Sequence, residues 1–134
     1  MIPNERTRIL LVDDHEATRR EIARLIDRQP DMVIVGDAST GEEGVSLSAE
    51  LSPSLVVMDI FMPGINGFEA TEKIVEGNRD VLVIALSNCN GSELEYQVRQ
   101  SGAMGYVHKS NAYEELVAAI RAVVTGKEYF HSND

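Results

Sequence analysis

Short apolar runs that each end in a polar, chemistry-bearing side chain constrain this chain more than any other feature. Residues 9–12 run into Asp13 and Asp14, residues 55–58 into Asp59, and two later runs close on Ser87 and Lys109. Four to six apolar residues make a buried strand, and strands apolar on both faces belong to parallel sheets covered on both sides. If the strands are parallel, the five polar side chains converge on one edge of the sheet. In open α/β folds that edge, at the carboxyl ends of the strands, is where ligands bind.

The stretches between the runs read as helices. Strands are expected at 8–13, 32–38, 54–59, 81–86 and 105–108, and helices at 15–29, 40–51, 67–76, 92–101 and 113–124. Ile22, Leu25 and Ile26 share one face of the first helix, and Leu116, Ala119, Ile120 and Val123 share one face of the last. Pro30 and Pro53 each end a helical segment, and Thr40 with Glu43 has the spacing of a capping box. Strict alternation of strand and helix predicts right-handed crossovers and a doubly wound α/β sheet. No repeat, linker or low-complexity tract points to a second domain within the 134 residues.

Composition narrows the chemistry. A net charge of -10 argues against direct contact with a nucleic-acid backbone, which needs a basic face. Cys89 is the only cysteine, so an internal disulfide and a thiolate zinc site are excluded and a metal would be held by oxygen. Residues 1–7 lack the apolar core of a signal peptide, and no run approaches the roughly 18 apolar residues of a membrane span. The expected address is the cytoplasm, without membrane attachment.

Carboxylates at close range raise one another's pKa unless a cation joins them. A hard divalent ion answers that repulsion and leaves room for a phosphate oxygen. Lys109 then offers a positive point charge and Ser87 a hydroxyl donor. A carboxylate is a known phosphoryl nucleophile, and phosphoryl transfer needs mainly positioning and charge neutralisation. Asp59 is the candidate nucleophile.

Four segments carry a resemblance: Leu10-Leu11-Val12-Asp13-Asp14, Met58-Asp59-Ile60-Phe61-Met62-Pro63-Gly64-Ile65-Asn66-Gly67, Ala85-Leu86-Ser87, and Gly102-Ala103-Met104-Gly105-Tyr106-Val107-His108-Lys109. In order and at these spacings they resemble the receiver domains of bacterial two-component response regulators, and the start and the Gly105-Tyr106 segment are similar to the branch with LuxR-type helix-turn-helix outputs. The resemblance implies a single flavodoxin-like (β/α)5 receiver domain, its core at about 8–126 and its ends, 1–7 and 127–134, flexible or linker. It implies phosphorylation of Asp59 by the phosphohistidine of a sensor histidine kinase, with Mg2+ as cofactor and Mn2+ as a substitute. Asp14, Asp59 and the backbone carbonyl of Phe61 would bind the metal directly, and Asp13 through water. Ser87, the Asn88 backbone and Lys109 would contact the phosphoryl group, and Ser87 and Tyr106 would form the switch pair. Dimerisation on phosphorylation is compatible with this family, and transcriptional output would lie in another domain.

Plainer readings stand beside these. Asp13 and Asp14 would also serve as helix caps, Ser87 as a turn hydroxyl, Tyr106 as packing, and the Pro63, Gly64 and Gly67 cluster as a turn. His15, His108 and His131 read as solvated or structural, and Cys89 as incidental. A haloacid dehalogenase-type phosphatase would want an aspartate where Phe61 stands. A flavodoxin would want a Ser/Thr/Gly-rich loop where Asp13, Asp14 and His15 stand. A stand-alone receiver, acting by protein contact or as a phosphorelay intermediate, is the remaining alternative.

Three positions depart from the common receiver pattern. Asn88 replaces a small residue and Phe61 a frequently polar one. Both flank the phosphoryl position and are expected to obstruct hydrolytic water and lengthen the lifetime of the phosphorylated form. Ser110 replaces a frequent proline, so a cis peptide after Lys109 would cost about 2.5–4 kcal/mol.

Overall fold

A computed structural model describes residues 6–89 and 91–130. The five strands are β1 (Thr7–Val12), β2 (Met32–Ala38), β3 (Leu55–Asp59), β4 (Leu82–Ser87) and β5 (Gly105–His108). The helices are α1 (Glu16–Asp27), α2 (Gly41–Leu51), α3 (Gly67–Gly77), α4 (Ser92–Gln100) and α5 (Ala112–Val124). One 3-10 turn that the sequence pattern does not announce, Lys109–Asn111, joins β5 to α5.

All strands pair in parallel, in the order β2-β1-β3-β4-β5. This is the flavodoxin-like order, whose switch point lies between β1 and β3. Alternate residues of each strand feed two separate cores, which is why the strands read as unbroken apolar runs. Ile9, Leu11, Leu55, Val57, Ile84 and Leu86 pack under α1 and α5. Leu10, Val12, Val56, Met58, Val83 and Ala85 pack on the opposite face with residues of α3 and α4.

The helix termini follow local chemistry. Thr40 caps α2 by accepting the Glu43 amide at 3.1 Å, as the capping-box spacing predicts. The reciprocal arm differs, because Glu43 Oε1 accepts from the Ser39 amide at 3.0 Å. Arg8 reaches across from β1 and donates to the Ser52 and Leu51 carbonyls at 2.7 and 3.0 Å, satisfying the open end of α2.

After α5 the chain returns to the sheet. The Tyr129 amide donates to the Met104 carbonyl at 3.0 Å, and its carbonyl accepts from the Tyr106 amide at 2.8 Å. Within the stretch expected to be a flexible or linker end, Tyr129 covers the edge of β5, and Phe130 lies under the Arg99 guanidinium, 3.9 Å from the ring centroid. Residues 1–5 and 131–134, with His131, lie outside the described residues. Among the described residues no peptide bond is cis, and no helix is long and apolar enough to cross a membrane.

Candidate functional site

The site forms where the topology directs it, at the carboxyl ends of β1, β3, β4 and β5. Asp13 follows β1 directly, and its amide donates to the Ala38 carbonyl at 3.0 Å, which continues the pairing with β2 one residue further. Its Oδ1 accepts the His15 amide at 2.8 Å. Its main-chain carbonyl accepts from Arg19 at 2.7 Å. Asp13 thus shapes the loop into α1, whose N-cap residue is His15 and which has no side-chain cap. Asp13 therefore does not cap the helix, and its second oxygen lies beside the Lys109 ammonium.

Asp59 ends β3 and is only 2% exposed. Lys109 extends from the turn after β5, its ammonium 3.2 Å from Asp59 Oδ2 and 3.0 Å from Asp13 Oδ2. The first contact has hydrogen-bond alignment, and the second is an ion pair without it. Burial, then the Asp13 charge, push the Asp59 carboxyl up to about 6, against the opposing pull of Lys109. Burial weakens the Lys109 ammonium, but Asp13 and Asp59 outweigh it and hold its pKa above the usual value.

The donor set fits a hard divalent cation. Oxygens of Asp13, Asp14 and Asp59 and a ring nitrogen of His15 all lie within 4.8 Å of one another. Asp13 Oδ2 and Asp14 Oδ1 are buried without a hydrogen-bond partner. Three carboxylates face one lysine, and carboxylate oxygens at this separation are what magnesium or manganese coordinates. His15, read as solvated or structural in the sequence, is exposed, and its Nδ1 stands 3.2 Å from Asp14 Oδ1 and 3.4 Å from Asp13 Oδ1.

Ser87 and Tyr106 form a second group beside the first. Asp59 pairs in register with Leu86, so Ser87 lies one residue beyond it on the neighbouring strand. Ser87 is fully buried, and its Oγ accepts the Cys89 amide at 2.9 Å. Tyr106 is buried and its hydroxyl donates to the Cys89 carbonyl. Burial pushes the Tyr106 hydroxyl's pKa up. The two side chains assigned to a switch therefore meet through the backbone of one residue, Cys89. Its thiol is exposed.

Phe61 and Asn88 rim the site. The Phe61 amide donates to Asp59 Oδ1 at 3.3 Å. Its side chain is 52% exposed and meets Phe68 edge-on, with ring centroids 6.3 Å apart. Asn88 is exposed, and its carbonyl faces His108 Nε2 at 2.8 Å. His108 falls within the last motif segment, but nothing in that segment marks this contact, because Asn88 lies in a loop twenty positions away.

A parallel sheet of this order, with clustered carboxylates and a lysine at its switch point, is the architecture of a signalling receiver. The chain belongs to the response regulator receiver domain family, which matches residues 9–121. It is 39% identical over 125 residues to the transcriptional regulatory protein LiaR of Bacillus subtilis, covering 93% of this chain and 59% of that protein. It is 42% identical over 125 residues to the response regulator UvrY of Escherichia coli, covering 93% and 57%. A two-component response regulator of the LuxR family from Aurantimonas sp. superposes with a TM-score of 0.89 at 37% identity, covering 93% of this chain and 89% of that one. The chain thus spans less than two thirds of the curated relatives' length.

Proposed function

We propose that this receiver accepts a phosphoryl group on Asp59 from the phosphohistidine of a sensor histidine kinase. The observation that carries the reading is Asp59 itself, buried at the end of β3 with the Lys109 ammonium bridging it to Asp13. A carboxylate oxygen of Asp59 attacks phosphorus, the phosphorus–nitrogen bond breaks, and the histidine nitrogen leaves with the electron pair. Lys109 neutralises charge on the transferred group, and the Ser87 hydroxyl and Asn88 amide donate to its oxygens. Asp13, Asp14, Asp59 and the Phe61 carbonyl would hold Mg2+ or Mn2+, which supplies charge neutralisation for the phosphoryl oxygens.

The chain assists its own phosphorylation and, by hydrolysis of the aspartyl phosphate, its own dephosphorylation without turning over a separate substrate. Phosphorylation adds negative charge and acceptor oxygens beside Ser87, and Ser87 and Tyr106 relay that change to the surface of α4, β5 and α5. That surface controls output and admits a second phosphorylated copy. The output is transcriptional, through a DNA-binding domain outside these residues, and the protein works in the cytoplasm. The name of LiaR and the LuxR-family structure support that assignment.

Intact mass after incubation with acetyl phosphate tests the reading, with and without Mg2+ and alongside Asp59→Asn. The expected result is a metal-dependent gain of one phosphoryl group, absent from the variant. No gain in folded protein would leave an interaction module that does not use phosphate.

A further inference from the structure

His108 closes a bridge between two loops of the site. Its Nδ1 accepts the Ser110 amide at 3.1 Å and faces the Ser110 hydroxyl at 2.8 Å. A backbone amide only donates, so Nδ1 carries no proton and the neutral ring carries it on Nε2. That Nε2–H points at the Asn88 carbonyl, 2.8 Å away. One tautomer therefore ties the turn that bears Lys109 to the loop that follows Ser87.

The segment 87–89 is then held at successive points. Ser87 Oγ accepts the Cys89 amide, His108 holds the Asn88 carbonyl, and Tyr106 donates to the Cys89 carbonyl. Ser110 makes the arrangement available, because a proline at that position has no amide hydrogen to select the tautomer. The departure at Ser110 and the histidine two positions earlier are thus parts of one device.

We propose that His108 is a positioning residue for the switch: it fixes the Asn88–Cys89 backbone in the form that receives the Tyr106 hydroxyl, and Ser110 sets the ring tautomer that allows it. The role in signalling rests on the receiver reading of Asp59, whereas the tautomer and the position of Tyr106 do not.

Two spectroscopic readouts test this on the whole chain. Imidazole 15N correlation spectra report the His108 tautomer. The 19F signal of 3-fluorotyrosine at Tyr106, assigned by its loss in Tyr106→Phe, reports whether that ring is buried. The unaltered protein should show the Nε2–H tautomer and one buried Tyr106 signal. His108→Ala should lose the single buried signal, and His108→Gln, whose amide can still donate to Asn88, should restore it. Ser110→Pro should mix the tautomers and disturb Tyr106, but should leave Tyr106 unmoved in the His108→Gln background, where no tautomer needs selecting. An Nδ1–H tautomer in the unaltered protein, or a Tyr106 signal indifferent to His108→Ala, would overturn the proposal. Phosphoryl uptake measured on the same samples separates the two readings. Uptake with an indifferent Tyr106 removes the latch alone, and no uptake removes the receiver reading while the spectra still judge the latch.

Discussion

Lys109 places its ammonium 3.2 Å from Asp59 Oδ2, joining residues fifty positions apart at the end of a buried sheet. Its side chain is only 11% exposed and also serves Asp13 at 3.0 Å. Removing one partner from a buried pair leaves the other charged and poorly solvated. Lys109→Met should therefore destabilise the fold at pH 8 by about 3 kcal/mol. The loss should shrink near pH 5, where Asp59 takes up a proton. Urea unfolding in chelator at the two pH values checks this, and equal losses at both would contradict the charge argument.

Asp59→Asn should have the opposite sign. Burial pushes the folded carboxyl up to about 6, from an ordinary 3.8. Between those values the folded state binds more protons than the unfolded one, so this group's contribution to stability falls as pH rises through the window. Two pKa units correspond to about 3 kcal/mol. The asparagine variant should accordingly be more stable by up to that amount at pH 8 without metal, and nearly equal to the unaltered protein at pH 4. It also leaves Lys109 paired with Asp13. A less stable variant at pH 8 would show that Asp59 is held by contacts stronger than the repulsion it suffers.

Divalent metal should stabilise the unaltered protein through the same carboxylates. Above its dissociation constant, each tenfold rise in free Mg2+ adds about 1.4 kcal/mol to unfolding. Chelation should reverse the gain, and Asp14→Asn should abolish the dependence because it neutralises a carboxylate whose buried Oδ1 has no hydrogen-bond donor. Thermal unfolding across a magnesium series reads this out. A persistent dependence in the variant would move the site away from Asp14.

Gly67→Ala should cost stability and move Asp59. A Cβ on Gly67 would stand 2.5 Å from the Asp59 carbonyl oxygen and 2.5 Å from Ile60 Cα, both backbone atoms that cannot swing aside. Overpacking of this kind costs about 1–3 kcal/mol. Slower acetyl phosphate labelling should accompany the lower unfolding midpoint. A variant of normal stability and labelling rate would mean that the loop after β3 yields freely.

Gly67 also marks how far the chain was legible. Its place in the turn cluster is readable from Pro63, Gly64 and Gly67, but the close backbone approach that forbids a side chain depends on α3 crossing over Asp59. The strands were readable because burial on both faces leaves only apolar residues until the chain reaches the sheet edge. The same contrast exposed Asp13, Asp59, Ser87 and Lys109. What escaped depends on partners distant in sequence: His15 beside Asp14 Oδ1, His108 on the Asn88 carbonyl, and Tyr129 returning to Gly105. None of these residues sits in a periodic pattern, and each takes its role from a loop conformation that local propensity does not determine.

Phe61 and Asn88 are expected to lengthen the phosphorylated lifetime, and the structure allows their side chains to be tested apart from their backbones. The Phe61 amide bonds to Asp59 and the Asn88 carbonyl faces His108, so both contacts survive substitution by alanine. What Phe61→Ala removes is a half-exposed ring resting edge-on against Phe68 at the rim of the site. What Asn88→Ala removes is an exposed amide one residue past Ser87. If the two screen the phosphoryl group from attacking water, the double variant should hydrolyse roughly tenfold faster, equivalent to about 1.4 kcal/mol of barrier. Intact mass followed over time after removal of the phosphodonor gives the rate, with unfolding midpoints as a control for general loosening. Hydrolysis that is unchanged or slower in the double variant would assign lifetime control to the backbone contacts that both substitutions leave in place.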